Sequence, residues 1–337
     1  MILQTCSYAR AGLLGNPSDG YFGRTISFSF ANFQSQVQLW ESPEICLLPG
    51  AEDDGNFPDF DSMINEIEHF GYYGGIRVVK ATAKVFHTYC RASGITLPKR
   101  NFTLRYRSNI PRMVGLGGSS GISTAVLKAL LRFYDVEDQI PFELLPTLCW
   151  QAESEELRIA CGMQDRVIQM YNGLMYMDFE QEFFAAHKHG RYQRLDVQLL
   201  PPLYVAFDPR RAEFSGTYHL NLRTMFDEHK PDIVAAMSEF ADLARQGFAA
   251  LSSGQTEKLP ALINANFDLR DRVFRVSPEN KLMVEVARRA GASAKFAGSG
   301  GAIVGTYTDA AMLQNLRRNL AEIGCELVLP DIAGTLA

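Results

Sequence analysis

Residues 111–121 read Pro-Arg-Met-Val-Gly-Leu-Gly-Gly-Ser-Ser-Gly and run directly into an apolar pattern of helical period. So dense a run of Gly and Ser cannot hold a strand or a helix interior, so it must be a loop that opens a helix, expected from about Ser120 to Phe133. Such a loop presents several backbone N–H groups and the positive end of the helix dipole, and together these make a site for phosphate oxygens. Ser119 and Ser120 add hydroxyls able to bond phosphate or ligate Mg2+. No Gly-Lys-Ser/Thr follows, so this is not the P-loop NTPase pattern. An ordinary glycine loop with a Ser helix cap would satisfy the same residues, and the rest of the chain has to decide between the two.

At 337 residues the chain is longer than one hydrophobic core usually serves, which predicts two domains. Lys and Arg total 33 against 38 for Asp and Glu, a net charge of -5 that lacks the bulk cationic field of a general nucleic-acid binder. No apolar run approaches the ~20 residues needed to cross a bilayer, and no signal peptide is visible, so a soluble cytoplasmic protein with no membrane partner is expected. The 6 Cys are scattered without a CxxC pair, as small buried hydrophobes in a reducing compartment would be. The 6 His show no metal spacing, and His187 and His189 read as solvated linker residues.

Strands and helices alternate irregularly through both halves, which predicts an α+β (two-layer α/β) protein. Thr25–Phe33 and Val37–Leu39 read as short strands, Ile76–Cys90 as an amphipathic helix and Phe102–Tyr106 as a half-buried strand. A second helix is expected over Glu143–Cys161 and a third from near Asp165. The charged segment Asp178–Pro202 reads as the crossing between domains. Beyond it come a strand at Leu203–Phe207, helices at Pro231–Leu251, Glu257–Arg275 and Asn280–Ala290, a second glycine loop at 298–301, and a closing strand–helix–strand.

Pro-x-x-x-Gly-Leu-Gly-x-Ser-Ser resembles the central motif of the GHMP kinases, and the family's two other motifs have counterparts in the same order. Ala9–Asp19 resembles the first motif, and Lys295–Ala302 the third. Cys161–Arg166 resembles the segment carrying the catalytic Asp of galactokinase-like members, with Asp165 on that position and Glu153, on the preceding helix, matching their Mg2+ ligand. The resemblance implies the GHMP kinase fold. Its N-terminal α/β nucleotide-binding domain would cover residues 1–195, and a ferredoxin-like domain 196–337. It also implies small-molecule substrates, ATP and Mg2+. The ATP phosphates would lie on Gly115, Leu116, Gly117, Gly118, Ser119, Ser120 and Gly121, with Gly298, Ser299 and Gly300 supporting them. Ser119 and Glu153 would hold the metal, the doubled Gly117-Gly118 leaving Ser120 as the other choice. Asp165 would act on the acceptor hydroxyl, with Arg166 and Arg10 beside it. Oligomeric state is not legible.

The first motif has Gly15-Asn16-Pro17-Ser18-Asp19 in place of the Gly-Glu-His of galactokinases. Tyr8–Ser27, Gly71–Arg77, Gly162–Val167 and Met283–Arg289 resemble instead the glucuronokinases, a branch of the family. That implies phosphorylation of the anomeric hydroxyl of D-glucuronate, with Asn16, Ser18, Asp19, Arg24 and Gly301 toward the sugar. A uronate carboxylate calls for a planar bidentate donor, a role that Arg fills better than Lys. Arg24 and Arg166 rank above Arg112 for it, and structural ion pairs remain open for each. Tyr21, Phe22, Tyr72, Tyr73 and Tyr171 are weaker candidates for stacking on sugar or base. A GHMP kinase for another sugar (galacturonate, arabinose, fucose or a heptose phosphate) and a silent sugar-sensing homologue are the competing readings.

Overall fold

The alternation Ile26, Phe28, Phe30 against Ser27 and Ser29, followed by Val37 and Leu39, is carried by one 19-residue strand, Arg24–Ser42. The structure, a computed structural model, describes residues 2–49, 74–210, 222–274 and 276–336; Gly71, Tyr72 and Tyr73 lie outside them. Strands are β1 (Ile2–Leu14), β2 (Arg24–Ser42), β3 (Cys46–Leu48), β4 (Asn101–Ser108), β5 (Leu174–Asp178), β6 (Arg191–Leu195), β7 (Leu203–Phe207), β8 (Lys295–Phe296), β9 (Ala302–Thr306) and β10 (Glu326–Val328). Helices are α1 (Gly75–Ala92), α2 (Gly118–Tyr134), α3 (Leu145–Gln151), α4 (Gln164–Tyr171), α5 (Gln181–His187), α6 (Pro231–Ser252), α7 (Leu259–Val273), α8 (Pro278–Arg289) and α9 (Ala310–Glu322).

β2 organises the first, six-stranded sheet. It pairs antiparallel with β1 along nearly its whole length, with β4 over its second half and with β5 over its first. The two runs expected as separate strands are one strand, with an irregularity between them that leaves residues 31–33 of β2 without partners in β1. The register shifts at Tyr8/Ala9, with the extra residues on β2, and at Gly12/Leu14, with the extra residue on β1, let the pair bend without breaking. The bend divides the core. Val37 and Leu39 pack under α1 and α2, whereas Ile26, Phe28 and Phe30 pack toward the second sheet.

The second sheet, in order β10-β7-β9-β8, is antiparallel throughout. Its strand β7 is an unbroken apolar run, Leu-Tyr-Val-Ala-Phe, and every residue is buried. Tyr204 and Ala206 face α8 and α9, while Val205 and Phe207 face Ile26 and Phe28 of the first sheet. An apolar run with no polar alternation is what a strand buried on both faces requires. The result is the expected α+β arrangement of two sheets sharing a core.

Two local expectations are corrected. The helix expected over Glu143–Cys161 stops as α3 at Gln151, passes through a π-helical turn at Ala152–Glu156, and ends with Arg158 in the left-handed region at φ 57. Periodicity alone does not register one extra residue in a turn, and such insertions recur at functional sites. The expected crossing at Asp178–Pro202 contains α5, capped by the Glu180 carboxylate, and β6. Within it His187 is solvent-exposed, as expected, but belongs to the last turn of α5, where it stacks on Phe183 with ring centroids 4.0 Å apart. Among the described residues no helix is long and apolar enough to cross a membrane, and all six cysteines are free thiols.

Candidate functional site

Arg10 sits inside β1 with 5% of its side chain exposed, a position that strands normally give to an apolar residue. Its burial is offset by bonds in three directions. Nε and Nη2 donate to the two carboxylate oxygens of Asp165, each at 2.6 Å, a bidentate charge-assisted pair. Nη1 donates to the Gly115 carbonyl at 2.5 Å and to the Ala297 carbonyl at 3.1 Å. One guanidinium thus fixes Asp165, at the start of α4, against both glycine loops.

The two loops touch. A Cβ on Gly298 would lie 2.3 Å from the Gly115 carbonyl oxygen, so only glycine allows this approach. Arg270, from α7, donates to the Gly298 carbonyl at 2.9 Å and also to the Ser299 carbonyl, holding the second loop from behind. Gln169 donates to the Gly117 carbonyl at 2.8 Å and steadies the first loop. Gly117 itself, at φ 81, turns the chain into α2, whose first N–H groups have no intrahelical partner and point an anion-binding end at the cleft.

The π turn delivers Glu153 to the same cleft. Ser119 Oγ donates to Glu153 Oε2 at 2.7 Å, and Arg166 Nη2 donates to Oε1 at 2.6 Å. The Arg166 and Glu153 side chains are 3% and 1% exposed, so this ion pair is out of water. A serine hydroxyl beside a carboxylate is a hard oxygen pair that fits Mg2+, a cation that takes few protein ligands and fills its shell with phosphate and water oxygens. Among the described residues no cluster of three or more His, Cys, Asp or Glu side chains offers a separate metal site. Cys161 lines the cleft too, but burial pushes its thiol up to about 12, which leaves it a poor nucleophile.

The profile of the "GHMP kinases N terminal domain" family matches residues 77–173. The chain is 43% identical over 302 residues to "Glucuronokinase 1" of Arabidopsis thaliana, covering 88% of this chain and 83% of that protein. It is 44% identical over 303 residues to "Probable glucuronokinase 2" of the same plant, covering 88% and 82%. The chain belongs to the glucuronokinase branch of the GHMP kinases. Lactococcus lactis galactokinase complexed with galactose superposes with a TM-score of 0.76 at 16% identity, covering 98% of this chain and 93% of that one. A Lin0012 protein from Listeria innocua gives 0.76 at 14% identity, covering 97% of each. At such identities these two speak for the fold alone.

In this GHMP kinase the cleft gathers Arg10, Asn16, Asp19, Gly115, Leu116, Gly117, Gly118, Ser119, Glu153, Asp165, Arg166, Gly298 and Ser299. Other expected residues stand behind its wall. Ser120 is buried and donates back to the Gly117 carbonyl at 3.2 Å, so Ser119 is the serine that faces the cleft. Gly121 returns its N–H to Gly117, and Gly301 packs on Val114 while donating to Asn280. The Gly300 carbonyl instead faces Gly115. Ser18 is buried and donates to the Arg24 carbonyl at 2.9 Å. Arg24 itself is not among the lining residues: its Nε donates to Asp178 across the β2–β5 pair at 2.8 Å. It holds the first-motif loop through its backbone carbonyl, and its charge is engaged by Asp178. The residues that sequence reasoning missed are Arg270 and Gln169, whose partners lie far along the chain and leave no local signal.

Lys295 of the third motif is also behind the wall. It is buried and donates to the Gly12 carbonyl at 2.6 Å, Asn16 Oδ1 at 2.5 Å and the Phe296 carbonyl at 2.7 Å. Burial first, then the charges of Arg270 and Arg10, hold its amine well below the ordinary lysine range.

Asp19 accepts from the Gln164 N–H at 3.0 Å and is closely covered by Gly162. Burial, helped by the nearby Asp165 charge and opposed by the Gln164 N–H, pushes its carboxyl up to about 6. The folded chain therefore binds this proton more tightly than the unfolded chain does. The contribution to stability is fully present below the unfolded value of 3.8 and is lost as pH rises through about 6. We expect wild-type stability, measured relative to Asp19→Asn by denaturant unfolding, to fall by up to about 3 kcal/mol between pH values of about 4 and about 6.5. A flat difference across that window would mean that the carboxyl stays solvated in the folded protein.

Proposed function

We propose that this chain transfers the γ-phosphoryl of ATP to the anomeric hydroxyl of D-glucuronate, giving glucuronate 1-phosphate and ADP. The observation that carries the reading is Arg10, which ties Asp165 to the meeting point of both glycine loops. A carboxylate fixed beside a phosphate cradle is the minimum that phosphoryl transfer to an alcohol asks of a protein. The two plant glucuronokinases named above support glucuronate as the acceptor.

In this reading the first turn of α2 and the 115–119 backbone bind the triphosphate, and the 298–299 loop closes over it. Ser119 and Glu153 would hold Mg2+, which when bound neutralises charge on the β- and γ-phosphates. Asp165, oriented by Arg10, accepts the hydrogen bond of the acceptor hydroxyl and takes its proton. Asp19 and Asn16, at the end of the cleft formed by the first motif, bond the ring hydroxyls. We assign residues 1–195 to the nucleotide half and 196–337 to the second half, the last strand of one sheet ending at Leu195 and the first of the other starting at Leu203. A reducing, cytoplasmic setting accords with the six free thiols.

The test is Mg2+-dependent ADP release across glucuronate, galacturonate, galactose, arabinose, fucose and mevalonate. The expected result is turnover with glucuronate well above every other acceptor. Turnover confined to a neutral sugar would overturn the substrate, and ATP binding with no ADP from any acceptor would overturn the activity in favour of a sensor.

A further inference from the structure

We infer that Arg158 reads the carboxylate of the sugar acid, from a second cavity that opens behind Asp19; the inference rests on the glucuronate reading above. Asp19, Pro17, Cys161 and Gly162 line both this cavity and the catalytic cleft, so the two spaces meet at the wall where the ring hydroxyls bind. In the inferred pose a pyranose with its C1 hydroxyl at Asp165 and a ring hydroxyl at Asp19 turns its C5 carboxylate toward that junction.

The arginines of the catalytic cleft are already committed. Arg10 grips Asp165, Arg166 grips Glu153, and Arg270 grips the carbonyls of the second glycine loop. Arg112 lies on the phosphate side, beside the first glycine loop. In the second cavity, Arg223 is bound to Asp227 at 3.0 Å and to the Gly20 carbonyl at 3.1 Å. Arg158 alone among these cavity-lining cations has no hydrogen bond or ion pair among the described residues, and it is exposed to the cavity. Its five N–H donors in a planar fork match a carboxylate.

Two further observations point to a polar ligand there. Ser154 lines the same cavity, and its Oγ, just beneath the cavity surface, is shielded from solvent and has no hydrogen-bond partner. A rotation of its side chain toward the cavity would let a ligand oxygen satisfy this orphaned hydroxyl. Arg158 also stands at φ 57, and the N–H of the next residue, Ile159, is bonded to the Glu153 carbonyl at 2.9 Å. The π turn that places Glu153 thus also sets the direction of Arg158. Glu155, a carboxylate that lines the same cavity, disfavours an anion there, so the Arg158 fork has to outweigh it.

The experiment compares D-glucuronate with D-glucuronamide, its neutral isostere, by kcat/KM and, where the amide turns over slowly, by calorimetric binding. Arg158→Ala and Arg158→Gly both remove the fork, and glycine suits the left-handed backbone, so at least one variant is expected to fold. Each should lose about 10- to 100-fold on glucuronate, leave glucuronamide and the KM for ATP unchanged, and be partly rescued by Arg158→Lys. Parallel losses on both acceptors, or no loss on glucuronate, would overturn the assignment of Arg158 alone. A wild-type protein that phosphorylates other sugars but not glucuronate would overturn the functional reading, and this inference with it.

Discussion

Asp165→Asn is expected to lower kcat by about three orders of magnitude while leaving ATP affinity nearly unchanged. Asparagine keeps the size of the side chain and one acceptor oxygen, so the acceptor hydroxyl can still dock. It cannot take the proton, and it offers Arg10 one oxygen where the native carboxylate offers two at 2.6 Å each. Arg10 retains its bonds to Gly115 and Ala297, so the glycine loops stay in place and the nucleotide site survives. Single-turnover phosphoryl transfer and ATP titration on the same preparation separate the two quantities. A kcat within about tenfold of wild type would remove Asp165 from the chemistry and leave it a structural partner of Arg10.

The second large effect is on stability. Arg166→Met strands the Glu153 carboxylate, 1% exposed, with only the Ser119 hydroxyl to solvate it. Breaking a buried ion pair from one side costs about 3–5 kcal/mol, because the surviving charge has neither water nor partner. Urea unfolding should show that loss, whereas the double variant Arg166→Met/Glu153→Leu should regain most of it, with the charge gone from both sides. The double variant should remain folded and inactive. A single-variant loss under about 1 kcal/mol would mean that water reaches Glu153 in the folded protein.

The first glycine loop was readable because its chemistry is local. Gly and Ser at 115–121 have few alternatives to a turn, and the helix after them begins within two residues of expectation. The choice between Ser119 and Ser120 was not local, since it depends on helical phase relative to a cleft formed by other segments. Arg24 shows the same limit from the other side. Its proximity to the substrate motif suggested a carboxylate clamp, but β-sheet register sets it opposite Asp178 and uses its charge there. The π turn left no trace in hydrophobic period, and it is this turn that brings Glu153 and Arg158 to opposite sides of one wall. Residue types announced the reaction class, while long-range pairing decided which arginine does what.

The buried bonds at the root of β1 bear on how product leaves. Gly12 N–H bonds to the Ala297 carbonyl at 2.8 Å, Lys295 crosses back to Gly12 and Asn16, and Asn266 accepts from Gly15. A clamshell rotation of one sheet away from the other would have to sever this seam in a region without water to replace its bonds. Separating the two halves would therefore cost several buried hydrogen bonds at once, so nucleotide exchange is expected to proceed by local movement at the rim of the cleft, with this seam intact.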